Sequence, residues 1–467
     1  MSTTQISHNT GSKSQADRAV TPGGRVAFGR EMRRLFNFAP SYTPLNHGSF
    51  GTFPRSVLER RFKVLQDWEE RECITYRFDY PERLRESRAL VAPLLGAHVD
   101  ELVLIPNATT GVNTILRNLV YEKGDVIVYP ATIYSACLKV IQHLEETTPV
   151  RRHGISIKYP IEDDDLVELF KATAKRLTGE GHRVRAAVFD TIASRPGVRI
   201  PWERIVKACK ELGILSVIDG AHAIGHLDMT HTGTLKPDFL VTNLHKWLFV
   251  PRGCAVLYVP FANQHLFKTA LPTSHGFLNA ELRPSKSTNS YFVELFKDLA
   301  TVDTTPYLLI PEALRFRDEV CGGEGAIRAY CARIARQGGD IVARILGTEV
   351  LDNKSGSLRW GAAFANVRLP IPVVEDRDVE GTLSVADIEP ALLWLFAVAA
   401  EEYDTYFQTF FFQGVIWTRL SAQVYLDIDD FSWAGATLKE LSARLLSGEW
   451  KTGGAKVVPP RHRLAKL

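Results

Sequence analysis

The sequence predicts an α/β protein: a large domain built on a mainly parallel sheet covered by helices, then a smaller C-terminal α+β domain. Three observations carry that expectation. Six short β-rich runs recur from about residue 101, namely "ELVLIP", "DVIVYP", "RAAVFD", "LSVID", "DFLVTN" and "CAVLYVP". Each is apolar without alternation, as strands buried on both faces are. Amphipathic helical stretches lie between them, which makes the strands parallel and the crossovers helical.

In chain order, residues 1–27 are polar and aperiodic and are expected to be a disordered tail. Residues 28–304 are expected to form an N-terminal segment and the large domain. Within it "WERIVKACKELG" (202–213) reads as a helix closed by Gly213. From 305 to 450 the texture changes to long helices (311–347) and mixed sequence, the expected small domain. There "FANVRLP" and "WTRLSAQVYLD" read as strands and "WAGATLKELSARLLSG" as a helix. Residues 451–467 are expected to be a flexible basic tail. It ends in Ala465-Lys466-Leu467, close to the Ser-Lys-Leu peroxisomal address, so a cytoplasmic or peroxisomal location is expected.

Composition narrows the function classes. Of the 467 residues 45% are apolar and 23% charged, ordinary for a globular enzyme, and a formal net charge of +3 gives no reason to expect nucleic acid. No apolar run approaches the roughly 18 residues of a membrane helix. The six cysteines form no Cys-x-x-Cys pair and no zinc spacing, so no metal is expected and the thiols are expected to be reduced and mostly buried.

The chemistry concentrates at strand ends, where doubly wound sheets bind ligands. The strand of "ILSVIDGAHAIGHLDM" (214–229) runs straight into Asp219, and that of "DFLVTNLHKWLFVPRGCAVLYVP" (238–260) into Lys246. In "LIPNATTGVNTILRN" (104–118) a strand meets Asn, Thr109, Thr110 and a glycine that open a helix, an arrangement suited to phosphate. An amine, a carboxylate and a phosphate cradle are what pyridoxal 5′-phosphate (PLP) requires. The lysine forms a Schiff base with its aldehyde, and the carboxylate keeps the ring nitrogen protonated.

On these motifs the chain resembles the class V, cysteine desulfurase-like, fold-type I PLP enzymes, from about residue 30 to 450. "LNHGSFGTFPRSV" (45–57) resembles the isopenicillin N epimerase-like branch. "TIYSAC", "LPTSHGF" and "RLSAQVYLD" look closer still to the fungal hercynylcysteine sulfoxide lyases of ergothioneine biosynthesis. The resemblance implies a seven-stranded sheet and a homodimer with shared sites acting on an amino acid. Lys246 would be the Schiff-base lysine and proton carrier, with Asp219 at the ring nitrogen. Thr109, Thr110, Thr242 and His245 would hold the phosphate, and Thr304 or Thr305 would reach the neighbouring subunit's phosphate. Tyr134 would stack on the ring and protonate the leaving group, Ser194 would approach the ring hydroxyl, and Arg419 would clamp the substrate carboxylate. Asn46 and His47 would line the substrate entrance.

Two departures stand out. His222 replaces a Gln common in the family; the resemblance implies that it binds the cofactor, bonding the ring oxygen or stacking nearby, with a titration near neutrality that would alter the cofactor's pH behaviour. Phe410, Phe411, Phe412 and Gln413 stand where the sulfoxide lyases carry basic residues, which suits a smaller or less anionic substrate. The expected reaction is carbon–sulfur β-elimination from a cysteine conjugate or its sulfoxide. The alternative is epimerisation, decarboxylation or carbon–carbon bond formation at Cα, as in fungal secondary metabolism of the isopenicillin N epimerase or loline type; transamination ranks below both. No cysteine sits in an evident persulfide-forming loop, and Cys137 reads as a structural thiol.

Overall fold

A computed structural model describes residues 25–274, 276–283, 290–298, 301–375 and 379–452. Most of both terminal tails, including Ala465-Lys466-Leu467, lies outside the described residues. The large sheet has seven strands: β1 (Leu102–Ile105), β2 (Asp125–Pro130), β3 (Arg151–Ile155), β4 (Arg183–Asp190), β5 (Leu215–Asp219), β6 (Phe239–Asn243) and β7 (Ala255–Tyr258). Their spatial order is β1-β7-β6-β5-β4-β2-β3. β6, β5, β4, β2 and β3 are parallel, and β7 runs antiparallel to both β6 and β1. β1 therefore points the same way as β6, and the chain leaves β1, β4, β5 and β6 at one edge of the sheet.

Six of the strands are the runs named above. β3 is the strand the sequence does not announce. Its residues, Arg-Arg-His-Gly-Ile, are mostly exposed, because it is the outer strand and pairs with β2 alone. An edge strand carrying charge resists pairing with other chains and lacks the apolar signature of its neighbours.

The helix at Trp202–Leu212 closes on Gly213 in the left-handed conformation, as expected. The long helical region does not run unbroken from 311 to 347. Ile310–Arg315 passes into a π-turn, the chain bends at Gly322 and Gly323, and a new helix spans Glu324–Leu346. Both glycines have positive φ, 82° and 91°, which no helix interior tolerates.

The C-terminal part carries β8 (Phe364–Arg368), a short parallel pair β9 (Val373–Val374) and β10 (Leu383–Ser384), then β11 (Gln408–Phe412) and β12 (Val415–Ser421). β11, β12 and β8 form an antiparallel sheet with β12 in the centre. The helix Glu324–Leu346 packs on the helix Ile428–Leu446 so closely that a Cβ at Gly338 would lie 2.4 Å from the Phe431 ring. The latter helix begins five residues before "WAGATL", because Asp427 and Asp430 form a reciprocal cap there.

Among the described residues, no helix is long and apolar enough to cross a membrane. All six cysteines are free, five buried and Cys73 exposed.

Candidate active site

Parallel strands deliver their C-terminal residues to one edge, and here β4, β5 and β6 deliver Asp190, Asp219 and Asn243. A four-residue helix, Leu244–Trp247, follows β6 at once and holds Lys246 over that edge. Gly51 makes this possible from the other side. Its φ is +65°, and a Cβ there would lie 1.9 Å from the carbonyl oxygen of His245. Arg317 braces the same helix: buried and paired with Glu324, it donates to the carbonyls of Trp247 (2.8 Å) and Gly225 (3.1 Å).

Lys246 is an amine kept from water. Burial lowers its pKa to about 8, despite the opposing pull of Asp219, so a useful fraction is neutral and nucleophilic near neutral pH. Its Nζ lies 3.4 Å from Nε2 of His222. The indole Nε1–H of Trp247 donates to Nδ1 of His222 at 3.2 Å. An indole can only donate, so neutral His222 carries its proton on Nε2, aimed at the lysine. Burial, then the charges of Lys246 and Arg419, hold His222 well below the usual histidine range. His222 is thus a neutral donor with its tautomer fixed by Trp247.

Asp219 and Asp190 are paired residues on neighbouring strands, both buried. Like charges at that range do not both ionise in a buried place. Donors converge on Asp219: Ala221 N–H to Oδ1 at 2.9 Å and Cys137 Sγ–H to Oδ2 at 3.2 Å. Asp190 Oδ2 has no partner, and burial with the charge of Asp219 pushes its carboxyl well above the usual range. The donors thus serve Asp219, and Asp190 is the carboxyl left without them. Asp190 closes the run "RAAVFD", yet only its register with Asp219 reveals it.

The helix Ala108–Asn118 begins at the same edge. Asn107 caps it by accepting from Thr110 N–H at 2.8 Å, and Asn243 Oδ1 accepts from Ala108 N–H at 2.9 Å. Thr109, Asn243, His245 and Lys246 line one cavity of about 160 Å³ with Asp190, Asp219 and His222. Thr110 turns its hydroxyl to Asn107 and faces an adjoining groove of about 540 Å³, which Thr109 and Thr304 also line.

Thr242 is not part of this cradle, contrary to expectation. It is fully buried on the opposite side of β6, where its hydroxyl accepts from Ile224 N–H at 3.1 Å. Alternation along a strand gives the cavity to the next residue, Asn243. Thr305 is buried and donates to Asp303 at 2.5 Å, which leaves Thr304 as the groove residue of that pair. His245 reaches the cavity, but its Nδ1–H donates to the Cys254 carbonyl at 2.8 Å. Burial lowers its pKa to about 4, so it donates to an anion only after taking a proton on Nε2.

The small cavity opens into a cleft of about 580 Å³, shared by Tyr134, Ser194, His222 and Lys246. Tyr134 immediately precedes the helix Ser135–Thr147 and is 41% exposed at this opening. Across the cleft, Arg419 of β12 is only 2% exposed. It donates to the Ser194 carbonyl (2.7 Å), Ser49 Oγ (3.1 Å) and Asn46 Oδ1 (3.3 Å), and lies 4.6 Å over the Phe364 ring. None of these partners is a carboxylate, its Nε has no partner at all, and burial lowers its pKa to about 9. A buried cation without an anion is costly unless a ligand brings one.

Two expected entrance residues sit differently. Asn46 orients Arg419 from a neighbouring cavity, and His47 lines that same cavity. His47 is buried, with Nδ1 2.7 Å from Tyr425 OH and its ring edge-on to Trp247, and burial lowers its pKa to about 3. It packs beneath the lysine helix and does not face the cleft. Of the aromatic run, Phe410 and Phe411 line the cleft. Phe412 turns toward Tyr159, and Gln413 is tied to the Tyr159 backbone by two bonds of 2.7 and 2.6 Å. Arg195, next to Ser194, lines the cleft and was not anticipated.

With this geometry in view, comparison with known proteins is specific. The family model for aminotransferase class-V matches residues 52–287. The L-cysteine desulfhydrase-like protein lolT1 of Epichloe uncinata is 37% identical over 91% of this chain and 98% of that protein. Hercynylcysteine sulfoxide lyase of Schizosaccharomyces pombe is 32% identical over 88% and 97% respectively. Among solved structures, the cystine C–S lyase C-DES, bound to its product cysteine persulfide, superimposes with a TM-score of 0.69. That match has 16% identity and covers 86% of this chain and 98% of C-DES, so it shows the fold alone. A strand-end lysine and carboxylate, a seven-stranded sheet and full-length relatives above 30% identity lead to one conclusion: this chain belongs to the aminotransferase class-V family of PLP-dependent enzymes.

Proposed function

We propose that this protein is a PLP-dependent carbon–sulfur lyase that eliminates a sulfur group from Cβ of a cysteine conjugate or its sulfoxide. The observation that carries the reading is Arg419, a buried guanidinium with no carboxylate partner, on the same cleft as an amine whose pKa burial has lowered to about 8. Such a pair suits an α-amino acid, whose carboxylate would take the planar fork of Arg419.

The residues fit PLP. Asp219 would offer a buried carboxylate to the ring nitrogen, His222 a fixed Nε2–H to the ring hydroxyl, and Thr109 and Asn243 polar groups to the phosphate. When bound, PLP supplies an electron sink for a developing carbanion. Lys246 Nζ would take the Cα proton, which requires the neutral amine that burial favours. Tyr134, at the mouth, would return a proton to the departing sulfur, which leaves with the Cβ–S electron pair. The released three-carbon fragment hydrolyses to pyruvate and ammonia. The two relatives described above have names referring to cysteine chemistry, which supports this reaction class.

A second reading, chemistry at Cα without loss of the side chain, is favoured by one observation. Phe410 and Phe411 give the cleft an apolar wall where the sulfoxide lyases carry basic residues. Pyruvate release from cysteine-conjugate sulfoxides, measured beside α-deuterium exchange on plain amino acids, separates the two. Pyruvate supports the lyase, and exchange without pyruvate supports the second reading. A homodimer, proposed from the exposed apolar Phe62, Phe78, Leu271 and Val302, would be tested by sedimentation.

A further inference from the structure

The cleft carries a second guanidinium. Arg195 sits in the strap Ser194–Gly197, which is pinned on both sides of it. The Ser194 carbonyl accepts from Arg419 at 2.7 Å, and Gly197 exchanges bonds of 2.8 and 3.0 Å with the Asn366 side chain. A Cβ at Gly197 would lie 2.7 Å from Arg419 Cδ, so strap and arginine are fitted to one another. The stem of Arg195 thus starts from fixed backbone.

Its side chain is exposed, lines the cleft with Arg419 and Tyr406, and forms no ion pair among the described residues. The two arginines feel each other: after burial, Arg195 is the largest influence depressing Arg419. Both also bear on the Tyr406 phenol. Two cations on one cleft with no protein anion paired to either form a site for a ligand with two negative groups. Leu392, Phe396 and Phe410 give the same cleft an apolar wall.

We propose that the cleft is built for an α-amino acid whose side chain ends in a carboxylate. The α-carboxylate lies on Arg419, the distal carboxylate on Arg195, and the intervening carbons on the Leu392–Phe410 wall. This deepens the amino-acid reading above and rests on it. It also revises the expectation of a less anionic substrate, since Arg195 supplies to the cleft the positive charge missing ahead of Trp417. Glu389 is the one acidic residue lining the cleft among the described residues, and it sets the opposite outcome: preference for a cationic side chain.

The test titrates the holoenzyme with 2-aminoadipate, norleucine and lysine, matched in length, and follows the visible spectrum of the bound cofactor. A charge-assisted contact predicts that 2-aminoadipate binds about tenfold or more tighter than norleucine. That ratio should collapse toward one in Arg195→Ala and recover in part in Arg195→Lys, with folding of each variant checked by circular dichroism. Equal binding of the two in the unmodified enzyme, a ratio untouched by Arg195→Ala, or a preference for lysine would each overturn the proposal. If none of the three perturbs the spectrum, the amino-acid reading beneath it fails as well.

Discussion

Replacing Arg419 by methionine is expected to stabilise the protein while removing its affinity for substrate. The guanidinium is 2% exposed and unpaired with any carboxylate, and burial lowers its pKa from 12.5 to about 9. A cation whose folded pKa lies below its unfolded value opposes folding fully below the folded pKa, and that cost fades only as pH rises toward 12.5. At pH 7 it is therefore fully present. At about 1.4 kcal/mol per pKa unit the cost is of the order of 5 kcal/mol. Methionine restores an apolar stem over Phe364 but leaves the Ser194 carbonyl without its donor, a loss of about 1–3 kcal/mol. Asn46 and Ser49 keep each other, at 2.8 Å. A net gain of about 2–4 kcal/mol remains, read as an upward shift of the urea midpoint of the cofactor-free protein at pH 7. Amino-acid affinity, read from the cofactor spectrum, should fall by about two orders of magnitude. A lower midpoint would refute the reasoning, because Arg419 would then be satisfied by the fold itself and not waiting for an anion.

Trp247→Phe removes the donor to His222 Nδ1, so the His222 pKa should rise and the acid limb of the kcat/KM profile should move to higher pH. His222 faces Lys246, with the Arg419 cation nearby, so protonating it there is disruptive. An unmoved acid limb would show that the tautomer is set by something else. Ellman's reagent should titrate one thiol rapidly in the native protein, Cys73, and the other five only on unfolding. A second fast thiol would reopen persulfide chemistry. Gly51→Ala should abolish PLP binding, measured by cofactor absorbance, because its methyl group would strike the His245 carbonyl and displace the lysine helix.

The sequence was most informative where strands are buried on both faces, and least where a residue's meaning depends on a neighbour far along the chain. β3 went unseen because an edge strand with two arginines and a glycine has no apolar pattern to display. Thr242 and Asn243 differ by one position, and strand parity, which sends one to the core and the other to the cavity, depends on pairing and not on composition. Asp190 looks like any acid ending a strand until β4 and β5 are set in register. The role of His222 required Trp247, twenty-five residues on, to fold back over it. Lys246 and Asp219 were legible early because a charge that closes an apolar strand has few other reasons to be there.

The central claim is that the amine at position 246 tethers PLP. Holoprotein reduced with borohydride, digested and analysed by mass spectrometry tests it most directly. The account predicts that the phosphopyridoxyl mass appears on Lys246 and that the visible absorbance is lost in the same step. Label on any other lysine, or none with the absorbance intact, would contradict it.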